Sequence, residues 1–342
     1  MRPIQTLVLV CALLILPSLS LFAQSAEVMY LEGFPELKTS GGSRYELDFG
    51  DIVEVGESVI TGATDYAELE QGQSNTIRIG ENTVFTMRQV ERDGETRTVL
   101  SNTAGSVSYR FNQITGREPE INTSSATAGV RGTELTVYAG DDGTSLFAVE
   151  SGLVEVQSAG ETVSLSKNEA VEVAAGRPPG DTFEWLGREL DFSSWNQDRL
   201  DAFLEDPIEG LVRIERRLDY FAEQVEETYA AYQEARDKQQ ELREEIGRLQ
   251  ETATEEEVQE FREESLVPAS ERTATLVLNY RYYALSALSM RRHVLGKLYM
   301  QMKSRHITEP TDPVFSEFLR VYTGIVEDFE ARIVPRLTEA DI

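Results

Sequence analysis

The chain is poor in the residues that most chemistry needs. Its 342 residues include one cysteine, Cys11, two histidines, His293 and His306, and two tryptophans, Trp185 and Trp195. Cys11 sits inside an N-terminal apolar run, so beyond that run there is no disulfide, thiol nucleophile or thiolate metal site to expect. The two histidines lie 13 positions apart on one expected helix. At about 1.5 Å of rise per residue they cannot share a metal. The chain also lacks an HExxH pair, a glycine-rich phosphate loop and a Gly-x-Ser-x-Gly elbow. Carboxylates are so numerous that none stands out as one of an acid/base pair. No catalytic residue, cofactor or metal site is therefore expected. Cations are the minority charge, 32 Lys and Arg against 60 Asp and Glu, for a net charge of −28. Such a surface repels nucleic acid and anionic lipid.

Long hydrophobic runs are also scarce. Leu7 to Leu16 is apolar throughout, follows the positive Arg2, and is broken by Pro17 and Ser18 before Leu21-Phe22-Ala23. That order of charge, apolar stretch and small residue predicts a secretory signal peptide over residues 1–23, cleaved after Ala23 or, second, after Ala26. The run is about half the 20 or so residues a membrane helix needs. Val10 before Cys11 argues against a lipid anchor. Removing the leader takes one positive charge, Arg2, so −28 becomes −29. No later run reaches membrane length. The expected location is periplasmic or secreted.

From about residue 27 to 175 apolar residues recur with period two in short runs: Asp51 to Val55, Ser58 to Thr61, Asn75 to Ile79, Thr83 to Met87, Thr96 to Leu100, Ser106 to Phe111, Glu134 to Tyr138, Ser145 to Val149, Leu153 to Gln157, Thr162 to Leu165 and Ala170 to Val173. Turn residues separate them, including Gly80-Glu81-Asn82, Ser151-Gly152 and Ala159-Gly160. Asp93-Gly94 and Asp142-Gly143 suit type I′ hairpins. Strands this short and evenly spaced predict a mainly-β domain: a β-sandwich, a roll or a short β-solenoid.

These residues carry a resemblance. Gly50-Asp51-Ile52, Gly56, Val59-Ile60-Thr61-Gly62 and Ala67-Glu68-Leu69, then Gly105-Ser106-Val107, Thr127 to Leu135 around Arg131-Gly132-Thr133, and Val149 to Val156 together resemble the FecR domain. In that family the domain lies outside the inner membrane and relays the state of a receptor to a sigma factor. The relay uses a cytoplasmic segment and a membrane helix. Here the leader occupies their place, so the resemblance implies a stand-alone exported module.

Read from the residues alone, Gly132 predicts a bulge or tight bend. Arg131 is either a structural arginine, paired with a carboxylate or with turn carbonyls, or a ligand contact. Arg131, Gly132 and Thr133 are the candidate recognition motif. Asp141-Asp142-Gly143 reads as turn residues, since calcium needs about six or more oxygens.

Residues 176–193, with Pro178-Pro179-Gly180, read as a linker, and 194–342 as helical. Ser194 to Gln197 has capping-box spacing. After Pro207 a seam with steps of three and four runs through Leu211, Ile214, Leu218, Phe221, Val225, Thr228, Tyr232, Ala235, Gln239, Leu242, Ile246 and Leu249, which apart from Thr228 and Gln239 is the face of a coiled coil. Pro268 predicts the end of that segment. A second helix is expected from Glu271, capped by Ser270, to about Arg305, and a third from Asp312-Pro313 to about Ile333. The expected arrangement is an antiparallel helical hairpin or a three-helix coiled-coil bundle. Ile208 to Glu264 holds 18 acidic and 8 basic residues, against 1 and 7 in Glu271 to His306. Opposite fields on consecutive helices favour packing against each other, rather than a basic surface for nucleic acid. Both tryptophans fall in or beside the linker, where packing between the domains is the expected use.

Two functional readings follow. One is a non-enzymatic envelope scaffold whose β domain holds a protein partner, with the helices as spacer or oligomerisation element. The other is a sensory subunit that passes a bound signal to a separate membrane protein. The seam is either filled within one chain or shared in a homo-oligomer.

Overall fold

The computed structural model describes residues 25–72, 75–92, 94–112, 119–186 and 190–339. The leader expected over residues 1–23 lies outside them. Fifteen strands come first: β1 (Ala26–Glu32), β2 (Glu36–Lys38), β3 (Arg44–Glu46), β4 (Ile52–Val53), β5 (Ser58–Ile60), β6 (Tyr66–Gln71), β7 (Asn75–Ile79), β8 (Val84–Arg92), β9 (Glu95–Arg110), β10 (Glu120–Asn122), β11 (Thr127–Ala139), β12 (Ser145–Ser158), β13 (Glu161–Leu165), β14 (Glu169–Val173) and β15 (Phe183–Glu184). Helices follow: α1 (Phe192–Glu205), α2 (Pro207–Thr252), α3 (Glu255–Phe261), α4 (Val267–Met290), α5 (Gly296–Arg305), α6 (Pro313–Arg332) and α7 (Val334–Glu339).

The strands form one mixed sheet in which β9 and β10 pair parallel and the other pairs run antiparallel. Its two ends feed a common core: Val28 and Val53 from one, Val154, Leu165 and Val171 from the other, all fully buried. A sheet whose ends share a core is folded over on itself. Along Glu134 to Tyr138 of β11 burial alternates strictly, which is the period-two pattern of the sequence made physical.

Glycine decides where strands change partner. β9 pairs with β8 over its first half and with β7 and β11 over its second. Gly105 stands at the changeover with φ +86°, and a Cβ there would lie 2.5 Å from Thr83 Cα and 2.8 Å from the Asn82 carbonyl oxygen. Only glycine fits both the conformation and the space. Ala159 and Gly160 both have positive φ and join β12 to β13, as a type I′ turn requires. At Asp142-Gly143 the expectation of that turn fails. Only Gly143 has positive φ; Asp142 instead accepts hydrogen bonds from the Thr144 amide at 2.9 Å and hydroxyl at 2.7 Å. A short polar side chain has substituted a local hydrogen bond for the mirror-image turn.

Inside the core Tyr109 is 1% exposed and its hydroxyl has no hydrogen-bond partner. Burial pushes the phenol well above its ordinary value. Tyr109→Phe should therefore stabilise the fold by about 1 kcal/mol, because it removes an unsatisfied buried polar group without changing the ring. Urea unfolding reads this directly; a destabilised variant would mean that the hydroxyl is bonded.

The helical half departs from expectation at three places. α1 is capped by Asp191, which accepts from the Ser194 amide and hydroxyl, so Ser194 is a capped residue and not the cap. Pro268 does not end a segment. Residues 255–305 run as one helix, capped at Thr254 by a reciprocal pair with Glu257, and contain π-helical turns at Arg262–Leu266 and Arg291–Leu295. The first π turn widens the coil immediately before Pro268, giving its ring room and leaving its missing N–H no role to fill. Ser270, expected as a cap, donates to the Leu266 carbonyl and accepts from the Gln239 side chain.

Gln239 meets Ser270 and Tyr229 meets Tyr280, so α2 and α4 run in opposite directions. Their contact is aromatic: Tyr232 stacks on Tyr280, Tyr229 packs tilted against Tyr280, and Tyr220 meets Tyr283 edge to face. Among the described residues no ion pair joins α2 to Glu271–His306, so the opposite fields act at long range only. α6 binds α2 instead, through Arg332 to Asp219 and Glu226. Among the described residues α6 and α7 meet α2 at Asp219, Glu226 and Tyr229, and α2 and α4 continue past them as an arm.

Candidate functional site at the sheet–helix junction

The end of the β8–β9 hairpin does not belong to the sheet's core. Val90 and Val99, with Ala175, are buried in the same cluster as Leu211, Ile214, Phe221, Tyr280 and Met290. Alternation along β8 places Arg88, Val90 and Arg92 on one face, and that face meets α4. Arg88 is 6% exposed; it donates to Ser286 Oγ and Ser289 Oγ, both at 2.7 Å, and to the Leu285 carbonyl. Burial with no carboxylate beside it lowers its pKa to about 10. One step along, the Glu91 amide donates to Asn279 Oδ1 at 2.7 Å.

A second buried cation stands nearby. Arg217 of α2 is 7% exposed, donates through Nε to the Ser124 carbonyl at 3.0 Å, and lies over the rings of Tyr220 and Phe221. Burial lowers its pKa as well. Arg92 reaches Tyr283 Oη at 3.2 Å and Glu120 at 3.8 Å. The junction thus concentrates positive charge in a strongly acidic chain, and most of that charge is met by hydroxyls, carbonyls and rings.

The far side of the junction is clamped differently. Asp141 accepts from Lys297 and Asn196, while its amide donates to Asn196 Oδ1 at 2.8 Å. Its neighbour Asp142 is buried against Thr144, and burial raises its pKa. Both carboxylates are taken by protein donors. Trp195 packs on Leu146, Ala148 and Ala170 and donates to Glu172 at 3.2 Å.

A cleft of about 680 Å³ opens beside the buried arginines. Its floor is the outer face of three strands: Thr127, Gly129 and Arg131 of β11, opposite Gln157, Glu155 and Leu153 of β12, with Thr162 of β13 alongside. Its walls are Arg92 and Arg97 from the β8–β9 hairpin, Pro119 and Glu120, and Tyr220 and Tyr283 from the helices.

The sequence motif divides at this floor. Arg131 is exposed and points into the cleft, whereas Thr133 is 1% exposed and faces the core. Between them Gly132, φ +55°, sits in an irregularity of the β11–β12 ladder, where Arg131 pairs with Leu153 and Glu134 with Ser151. Gly152 lies against it with φ +87°; a Cβ on Gly152 would touch the Gly132 carbonyl and come within 2.9 Å of Thr133 Cα. The bulge turns Arg131 and Thr133, two apart and so on one face of a regular strand, to opposite sides of the sheet.

The seam lies away from the cleft. Leu211, Ile214, Leu218, Phe221, Val225 and Ile246 are buried, while Leu242 and Leu249 on the arm are half-buried. Sequence reasoning missed Arg88, Arg92, Arg97 and Arg217. The available signal was the same-face set Arg88, Val90 and Arg92, which mixes cations with an apolar residue as a solvated strand face does not.

The comparisons bear on the strands. Two solved structures of a protein proposed to be an anti-sigma factor, from Parabacteroides distasonis ATCC 8503, share 16% and 17% identity with this chain at TM-scores of 0.32. Each match covers 37% of this chain, which spans 59% of that protein. A likeness this slight carries no argument. No curated protein matches the chain. The family comparison is more specific, and it falls on the strands that build the changeover at Gly105, the bulge at Gly132 and most of the floor of the cleft: residues 57–155 match the FecR protein family.

Proposed function

We propose that the chain is a non-enzymatic envelope protein whose FecR-matching sheet recognises a protein partner and whose helical arm acts as spacer. The observation that carries this reading is the junction, where a family-matched sheet and a long helical hairpin share one core and together wall a polar cleft. Arginines, tyrosines and a bare strand floor are recognition groups. Export through the leader over residues 1–23 belongs to the proposal. Ala26, 1% exposed, pairs with Val53 and Gln71 in the sheet, which favours cleavage after Ala23 over Ala26.

A sensory role is the second reading, and the same shared core favours it, since a ligand touching both halves is placed to bias how they pack. Self-association would use the part of α2 beyond Tyr232, where Leu242 and Leu249 are half-buried.

Photo-crosslinking in cells separates these readings. A crosslinker at Arg131 should yield one recurrent protein adduct, and one at Leu249 an adduct with a second copy only if the arm is an oligomer contact. Silence at Arg131 removes the partner-binding reading. A sensory subunit adds a further requirement, that deleting the gene shifts a defined set of transcripts.

A further inference from the structure

The cleft floor is specific enough to name the chemistry of its occupant; this inference rests on the partner-binding reading above. Among the described residues Arg97 and Arg131 have no ion-pair partner. The Arg97 Nε is buried without any hydrogen bond, so a donor faces inward with nothing to receive it. Arg92 is committed to Glu120 and Tyr283. Behind the Tyr220 wall, 5.0 Å from its ring, stands the buried charge of Arg217. Cations without counter-charge at the edge of a low-dielectric region attract an anion more strongly than the same groups in water.

The rest of the lining limits which anion. Glu155 lies in the floor between Thr127-Gln157 and Arg131-Leu153, so a dianion lying flat would be repelled along part of its length. Gly129 leaves the floor bare, with nothing within 4 Å of where a Cβ would be. Leu153, 43% exposed, offers an apolar step beside Arg131. Gln157, Thr162 and Glu155 present acceptors at strand spacing, which suits a backbone that donates N–H groups at regular intervals. The volume falls within the roughly 300–1,000 Å³ of small-ligand clefts, the size of a few residues and not of a folded surface.

We propose that this cleft binds an extended acidic peptide segment of the partner, one carboxylate forked by Arg131 and another by Arg97, with main-chain N–H groups on Glu155 and Gln157. The planar guanidinium fork matches carboxylate geometry. A bare floor lets the peptide backbone approach the sheet. Because Arg92, Tyr220 and Tyr283 belong to the opposite wall, an occupied cleft contacts sheet and helices at once.

Calorimetry on the purified full chain tests this with a blocked Ala-Glu-Asp-Glu tetrapeptide, its Gln/Asn isostere and inorganic phosphate as probes. The acidic peptide should bind and the neutral isostere should not. R97Q and R131Q should each weaken binding by about tenfold or more, as loss of a charge-assisted hydrogen bond does. R44Q, on the distant β2–β3 hairpin, should leave it unchanged. Thermal melting of each variant shows that the fold is retained. Equal binding of the isostere, or phosphate binding that matches the peptide, overturns the proposal. An adduct from position 131 without peptide binding also overturns it while leaving the partner-binding reading intact. Peptide binding without an adduct overturns both, because no partner then supplies the segment.

Discussion

Gly105→Ala is expected to lower stability by about 3 kcal/mol or more, from strain at positive φ added to overpacking against backbone. The new methyl would meet Thr83 Cα and the Asn82 carbonyl, which belong to the turn before β8 and cannot rotate away. Thr83 is itself held, since its hydroxyl accepts from the Ser106 amide at 3.0 Å and donates to the Ser106 carbonyl at 3.2 Å. Gly160→Ala is the matched control: φ is +80°, but nothing lies within 4 Å. It should cost about 1 kcal/mol, the conformational part alone. Urea denaturation of both gives the difference, and equal losses would show that the close approach at Gly105 does not exist.

The second large effect is a fall in stability with acid that depends on one imidazole. His293 sits in the π turn Arg291–Leu295, partly buried, with Lys297, Lys38, Arg292 and Arg44 around it. Lys297 is partnered by Asp141 and Arg44 by Glu36, so carboxylates also stand nearby. Burial first, and those cations second, lower its pKa from 6.5 to about 4. Between these values the unfolded chain binds a proton that the folded protein refuses. Stability is therefore unaffected above pH 6.5, declines as pH falls, and stops declining near pH 4. The full loss is up to about 3 kcal/mol. Asp142 acts in the opposite sense, because its raised pKa lets the folded state take up a proton first. Only the difference between the wild type and His293→Gln isolates the imidazole. That difference should be near zero at pH 7.5 and grow in favour of the variant by pH 4.5. Parallel curves would place His293 in contact with water.

Much of the sheet was legible because β-strands announce themselves locally. Period two marked which side of β11 is buried over Glu134 to Tyr138, and glycine marked the turns and the Gly132 bulge. The Asp142 turn misled because the residue can satisfy its neighbours by hydrogen bonding as well as by adopting positive φ. The long helix was legible only in pieces. Each π turn inserts a residue and rotates the downstream face by about 100°, so no single period runs from Glu255 to Arg305. Pro268, a stop signal in an ordinary helix, is absorbed there. The cleft could not be read at all beyond Arg131. Its lining comes from β8, β9, β10, β11, β12, β13, α2 and α4, and the hydroxyls that hold Arg88 lie 198 and 201 positions away in the chain. Local pattern carries no information about such pairings.

The arm has a mechanical consequence. Asn279 and Ser286 tie α4 to the β8–β9 hairpin, and that tie is a fulcrum. From Asn279 to the acidic tip at Glu255 is about 36 Å of helix at 1.5 Å per residue. A tilt of about 10° at the fulcrum therefore swings the tip by about 6 Å, more than one helical turn. A displacement at the sheet too small to break any packing contact becomes, at the far end of the lever, the difference between touching a neighbour and missing it.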